Sequence, residues 1–375
     1  MSARLYVGLM SGTSMDAIDA ALVSCDDRGT QLLHSHAHPI SASLRDTIHG
    51  LSHSGPDEID RLGPLDRQLG GLFGDAAIAL LADARLAPEQ VCAIGSHGQT
   101  IRHRPPSAGH GQNSFTLQIG DPNTIAERTG ITTVADFRRR DMTAGGEGAP
   151  LAPAFHALAF GLEGHNRAII NVGGIANISL LHGCQLLAGF DCGPGNTLLD
   201  HWISRHRGER YDQGGEWGAQ GRVNAELLQQ LRAHPYFELA GPRSTGKEIF
   251  NLGWLDSLLA SHNGLAPQDV QATLAQFTAT TITDALLKDG SNVTEAYICG
   301  GGAHNRDLIE RLATLAPGVR FATTEALGIN PDWVEAALFG WLASRTLDGL
   351  AGNAPVVTGA AGPRILGAIY PASKL

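Results

Sequence analysis

The chain has 375 residues, 43% of them hydrophobic and 17% charged, so it can fill a core, which excludes bulk disorder. Its net charge of −10 argues against non-specific binding to nucleic acid or to an anionic membrane surface. Glycine is the outlier, with 47 residues against a usual share of about 7%; there is no G-X-Y period, so these glycines punctuate local structure. The N-terminus lacks an apolar stretch followed by a small-residue cleavage site, and no run reaches the roughly 18 apolar residues of a membrane helix. The five cysteines are scattered and form no C-x-x-C pair, which points to a reducing cytoplasm.

In chain order, residues 4–10 and 17–23 read as two strands joined by a glycine turn, with a third strand over 31–40. Apolar spacing predicts a helix over 58–86, which Gly63-Pro64 and Gly70-Gly71 can interrupt or kink. Strands follow at 91–95 and 115–119, then a short helix and a strand over 131–137. The pattern then restarts, with strands at 167–172, 175–181 and 185–190 and a helix after Asn196. A helix over 267–288, a strand over 295–299, and a helix over 306–313 capped by Asn305 come next. Asn330-Pro331 is expected to open the last clear helix, and the segment from Gly349 reads as loop with one short strand. A glycine-turned meander thus occurs twice, a weak internal repeat that predicts two similar α/β lobes with a ligand cleft between them.

Several motifs carry chemistry. The turn Gly8-Leu9-Met10-Ser11-Gly12-Thr13-Ser14-Met15-Asp16 can turn backbone N–H groups toward phosphate oxygens, with Asp16 or Asp19 facing a hydrated Mg²⁺. Gly300-Gly301-Gly302 follows a strand and permits close backbone approach to a nucleotide, though it lacks the G-x-G-x-x-G spacing. Asp191, before Cys192-Gly193-Pro194-Gly195-Asn196, sits at a strand end where a carboxylate can act as general base. Arg138, Arg139 and Arg140 cluster near a strand end, where strand alternation puts Arg138 and Arg140 on one face and Arg139 on the other; a guanidinium there can clamp a carboxylate or form salt bridges with Asp136, Asp141 or Glu147. Glu335 lies amid an apolar helix face, as a substrate ligand or a salt-bridged core residue. The polar run Ser96-His97-Gly98-Gln99-Thr100 suits a sugar. Gly241 to Glu248 nearly spells a phosphate-binding P-loop, but Glu248 stands where Ser or Thr is required, so that reading is rejected. His34, His36 and His38 alternate on one strand face without metal-ligand spacing elsewhere, and no residue is assigned as a direct metal ligand.

These motifs, together with Ala135 to Asp141, Gly148-Ala149-Pro150-Leu151, Asn171-Val172-Gly173-Gly174 and Ser244 to Glu248, occur in family order from about Arg4 to Pro371. The chain closely resembles the anhydro-N-acetylmuramic acid kinase family of the actin–hexokinase superfamily, departing from it at Ala17, where glycine is expected. The resemblance implies two RNase H-like lobes, each a five-stranded mixed sheet flanked by helices: 1–136 with about 340–375, and 137–339. It implies ATP and Mg²⁺ as cofactors, a cytoplasmic homodimer, and a role in peptidoglycan recycling. The implied reaction takes 1,6-anhydro-N-acetylmuramic acid, ATP and water to N-acetylmuramic acid 6-phosphate and ADP. Asp191 and Glu335 would be catalytic. Gly12, Thr13, Ser14, Met15, Asp16, Ala17, Ile18, Asp19, Gly173, Gly174, Gly300, Gly301, Gly302 and Asn305 would hold the nucleotide. Arg140, with Arg138 as second choice, would bind the lactyl carboxylate, and His97 the sugar. The competing readings are a kinase acting on a free sugar hydroxyl and a nucleotide-switched assembly protein.

Overall fold

The computed structural model describes residues 3–12, 15–26, 29–238, 249–262, 264–289 and 292–372. The elements begin β1 (Arg4–Met10), β2 (Ala17–Asp26), β3 (Gly29–Pro39), α1 (Ala42–Ser52), α2 (Glu58–Ala84), β4 (Val91–Ser96), β5 (Gln99–Arg104) and β6 (Phe115–Ile119). They continue with α3 (Pro122–Thr129), β7 (Thr133–Ala135), α4 (Arg139–Thr143), α5 (Ala152–Phe160), β8 (Asn166–Val172), β9 (Ile175–His182), β10 (Gln185–Pro194) and α6 (Thr197–Arg207). After these come α7 (Glu216–Ala219), α8 (Ala225–Arg232), α9 (Leu252–Leu259), α10 (Pro267–Asp289), β11 (Glu295–Cys299) and α11 (Arg306–Leu315). The last are β12 (Arg320–Thr323), α12 (Val334–Leu347), α13 (Pro355–Thr358) and β13 (Ala368–Tyr370).

The chain divides into two compact units, Met1–Ala159 with Trp333–Leu375, and Phe160–Asp332. Boundaries at 136 and 340, as expected from sequence, would cut through structure that belongs to the first unit. Buried Asp141 accepts hydrogen bonds from Asn353 (2.7 Å) and Thr358 (2.8 Å), and Phe137 packs on Phe339.

The two sheets repeat one strand order. In the first unit it is β3-β2-β1-β4-β7, extended by β13; in the second it is β10-β9-β8-β11-β12. In each, an antiparallel meander is followed by two parallel strands, with β1 beside β4 and β8 beside β11. The first sheet therefore has six strands, not the five expected, because β13 adds antiparallel to β7. A strand this short at the chain end carries little periodic signal. A separate ribbon pairs β6 with β5, a strand not anticipated among the polar residues 99–104.

Alternation in β1 sorts the first core. Val7 and Leu9 join Ile18, Ala20 and Leu22 against Leu69, Phe73, Ala76 and Leu80 of α2. On the opposite face Gly8 and Gly95 bring α12 backbone to backbone with the sheet: a Cβ on Gly8 would run into the Ala336 carbonyl oxygen, and one on Gly95 into that of Phe339. Gly8 thus serves helix packing rather than a turn. Helix α2 runs unbroken through Pro64, Gly70 and Gly71. Gly70 instead admits the start of α3, since a Cβ there would press on the Asp121 backbone. Helix α1 was not foreseen; Ser41 caps it by accepting from the Leu44 N–H (3.3 Å), and Leu44, Ile48 and Leu51 bury its inner face. In the second unit, Ala168, Ile170 and Val172 of β8 pack with Ala279, Ile282 and Leu286 of α10 and with Leu308 and Leu312 of α11.

Candidate active site

In the first unit the β1–β2 hairpin forms as read, with Met10 opposite Asp19. Gly12 has open space where a Cβ would stand, and its carbonyl accepts from the Met15 N–H (3.2 Å). Met15 is held at φ 54, a left-handed conformation uncommon outside glycine. The expected phosphate contacts Thr13 and Ser14 lie outside the described residues. Asp16 is half exposed and ion-paired with Arg45 at 2.6 Å. Ala17 opens β2, and Ile18 points into the core, so any contact it makes to a ligand is through its backbone.

The strand expected over 131–137 is shorter than read, β7 spanning Thr133–Ala135, so the arginines lie beyond it. Asp136, at φ 61, ends β7, and Arg139 starts the short helix α4. Strand alternation therefore does not apply to the three arginines. Arg139 and Arg140 are exposed, and the Arg140 side chain makes no hydrogen bond or ion pair among the described residues. Arg138 is partly buried: its Nε donates to His97 Nε2 (3.0 Å) and its Nη1 to the Gly148 carbonyl (2.8 Å). His97 is buried, and its Nδ1 donates to the Gly98 carbonyl (2.8 Å), so the ring is neutral. Burial, then the Arg138 charge, holds its pKa well below the usual histidine value. Burial also lowers Arg138 to about 10, against the opposing pull of Glu335 and Asp141, so it stays charged at neutral pH. Beside His97 lies a cavity of about 190 Å³, bordered also by Asp66, Ser96, Asp136 and Tyr370.

Glu335 sits in the first turn of α12, not deeper in a helix opened by Pro331. The helix starts at Val334 because Asn330 Oδ1 accepts from the Asp332 N–H (3.0 Å), closing a turn first. Glu335 reaches solvent, yet protein crowded around its carboxyl raises its pKa above the ordinary carboxylate value, with Arg138 pulling the other way.

In the second unit three glycine turns pack together. The Gly173 carbonyl accepts from Asn196 N–H (2.8 Å), the Gly174 carbonyl from Gly195 (2.9 Å) and Thr197 (3.1 Å), and Asn196 Nδ2 donates to the Val172 carbonyl (3.0 Å). A Cβ on Gly195 would strike the Gly173 carbonyl, and one on Gly300 the Asn171 side chain. Gly302 lies as tightly on Val172, while Gly301 has room to spare. These glycines first clear space for one another's backbone. Asp191 lies inside β10 rather than past its end, opposite Asn177, where a bulge between Asp191 and Gly193 shifts the register. Its carbonyl accepts from the Tyr236 hydroxyl (2.7 Å). Asn305 caps α11 as expected, accepting from the Leu308 N–H (3.0 Å), so its side-chain oxygen already has a partner. The rejected P-loop segment 241–248 lies outside the described residues, apart from neighbours at either end.

Three participants were not read from the sequence as parts of the site. Asp141 is fully buried and takes three side-chain hydrogen bonds, including the Gly148 N–H at 2.9 Å. Tyr236 steadies the strand bearing Asp191, and Phe339 is the platform on which His97 stacks (4.7 Å). An acidic residue flanking arginines was the only sequence signal for Asp141, and it suggested a salt bridge instead.

Two units that repeat one strand order, each with glycine turns at the ends of its first strands, define the actin/hexokinase-like α/β class. The anhydro-N-acetylmuramic acid kinase family model matches residues 4–372. Among curated relatives of that name, the chain is 53% identical over 367 residues to one from Pseudomonas paraeruginosa, covering 98% of this chain and 99% of the relative. It is 48% identical over 372 residues to one from Shewanella loihica, covering 99% of this chain and all of the relative. The chain belongs to the anhydro-N-acetylmuramic acid kinase family.

Proposed function

We propose that this chain uses ATP and water to open 1,6-anhydro-N-acetylmuramic acid and phosphorylate its oxygen 6, yielding N-acetylmuramic acid 6-phosphate and ADP. The observation that carries the reading is family membership over residues 4–372. In the anhydro sugar, oxygen 6 is tied into an acetal and has no proton to lose. Asp191 takes a proton from water as that water attacks carbon 1. The bond from carbon 1 to oxygen 6 breaks, oxygen 6 attacks the γ-phosphorus roughly in line, and ADP leaves. Glu335 helps hold the water. Arg140 clamps the lactyl carboxylate; its exposed side chain, with no hydrogen bond or ion pair among the described residues, supports it over Arg138, whose Nε and Nη1 are engaged. His97 borders the sugar.

The hairpin from Gly12 to Asp19 holds the β- and γ-phosphates through backbone N–H groups. Gly173 and Gly174, with Gly300 to Gly302 and Asn305, hold the rest of the nucleotide. The carboxylates of Asp16 and Asp19 are hard oxygen donors that suit hydrated Mg²⁺, with Arg45 competing for Asp16. Bound there, the ion offsets phosphate charge. The reading includes a cytoplasmic homodimer acting in peptidoglycan recycling. No described helix is long and apolar enough to cross a membrane, and all five cysteines are free thiols.

The test is turnover of the anhydro sugar with ATP in ¹⁸O-labelled water. Label is expected on carbon 1; label in the phosphoryl group would sink the mechanism. Asp191→Asn should abolish turnover while ATP still binds, and near-normal turnover would move the base elsewhere. Preference for free N-acetylmuramic acid or glucose would instead favour an ordinary sugar kinase.

A further inference from the structure

The backbone that carries Asp191 is not fixed by its sheet alone. Among the described residues β10 is an edge strand, and the bulge between Asp191 and Gly193 interrupts its pairing with β9. Side chains from outside the sheet hold this stretch. The Tyr236 hydroxyl donates to the Asp191 carbonyl (2.7 Å). The Thr278 hydroxyl of α10 is shared between the carbonyls of Pro194 and Gly195, 3.1 Å from each. Between these two points stands Gly193, at φ 146, where a Cβ would come within 3.0 Å of the Phe237 ring and 3.4 Å of Thr281 Oγ1. Tyr236 is itself held at both ends. It is buried, its N–H donates to His234 Nδ1 (3.2 Å), and its ring meets those of Phe237 and Phe250 edge-on, with centroids 5.4 and 5.7 Å away.

We infer that Tyr236 is a positioning residue: its hydroxyl fixes the bulged backbone from which the Asp191 carboxylate projects, and so sets the aim of the base. This rests on the proposed reaction, in which Asp191 takes the proton from water. The bond goes to the Asp191 main chain, so its loss leaves the carboxylate present and moves the backbone that aims it. A general base must lie within hydrogen-bond reach of the proton it takes, about 2.6–3.2 Å between heavy atoms. A displacement on the order of 1 Å can cost about 10²-fold in rate. Binding of ATP and sugar rests on other residues, so the cost falls on turnover.

Steady-state kinetics with the full chain, ATP and the anhydro sugar test this. Tyr236→Phe removes the hydroxyl and keeps the ring, so the melt should stay cooperative. It should lower kcat roughly 10- to 100-fold and leave the KM of both substrates within about twofold. Asp191→Glu, which moves the carboxylate by one methylene, should cost kcat a similar factor. Adding Tyr236→Phe to Asp191→Glu should cost no more than about threefold beyond the poorer single, since both act through where the carboxylate stands. Gly193→Ala presses on the same bulge from the Phe237 side and should give the same split between kcat and KM. It carries the cycle with Asp191→Glu if Tyr236→Phe gives no cooperative melt. An unchanged kcat, a loss confined to KM, or losses that multiply would overturn the inference. If the unaltered chain fails to turn over the anhydro sugar, the functional reading falls; if it succeeds and the losses multiply, only this inference falls.

Discussion

Replacing Asp141 with alanine should destabilise the first unit more than any surface change near the site. The carboxylate is fully buried, and its two oxygens accept from the Gly148 N–H, the Asn353 amide and the Thr358 hydroxyl at 2.7–2.9 Å. Each stranded buried donor costs about 1–3 kcal/mol, so three give roughly 3–6 kcal/mol once some rehydration through the new cavity is allowed for. That is a large share of the about 5–15 kcal/mol that holds a typical domain together. Two of the donors come from the C-terminal segment, so the loss also weakens the hold of residues 353–358 on the loop at 141–148, leaving the bond from the Glu147 N–H to the Thr358 carbonyl (2.8 Å). Asp141→Asn keeps one acceptor but turns an N–H₂ toward a donor, and should fall between alanine and the parent. Equilibrium urea unfolding, followed by the fluorescence of the five tryptophans, of which Trp333 and Trp341 lie in the first unit, reads the change. A stability loss under about 1 kcal/mol would refute the reasoning, since it would mean that the three donors find other partners.

Two glycines of the first hairpin should respond in opposite ways. Gly8→Ala forces α12 off the sheet and should cost about 1–3 kcal/mol in thermal or urea melts, whereas Gly12→Ala enters open space, leaves the melt unchanged and raises the KM for ATP. A Gly8 variant as stable as the parent would remove the close-packing account. Glu295 offers a pH test: burial works to raise its pKa, but hydrogen bonds from Arg167, Arg320 and Tyr297 outweigh this and hold it at about 2. Its folded value lies below the unfolded one, so its contribution is present above the ordinary carboxylate pKa and lost as pH falls toward about 2. Glu295→Gln should therefore flatten the loss of stability through that acidic window, measured as urea midpoint against pH.

What the sequence determined by itself is local and periodic. The alternation of Val7 and Leu9, the repeated glycine-turned meander, the cap at Asn305 and the long apolar spacing of α2 and α10 each follow from a few neighbouring residues. Those signals yielded two units of one design and most of their strands. Where they erred, the deciding contact was distant in the chain. The three arginines at 138–140 read as following strand alternation from a strand end, but Asp136 turns the backbone before them and His97, 41 residues away, fixes Arg138. Gly8 looks like turn punctuation, yet its reason is the Ala336 carbonyl at the far end of the sequence. The sixth strand and the unit boundaries depend likewise on C-terminal residues folding back onto β7 and Asp141. Residue type and spacing name which side chains can do chemistry. Burial and long-range hydrogen bonds decide that Arg138 is locked against the protein while Arg140, two residues on, stays exposed, because both depend on contacts that no local window contains.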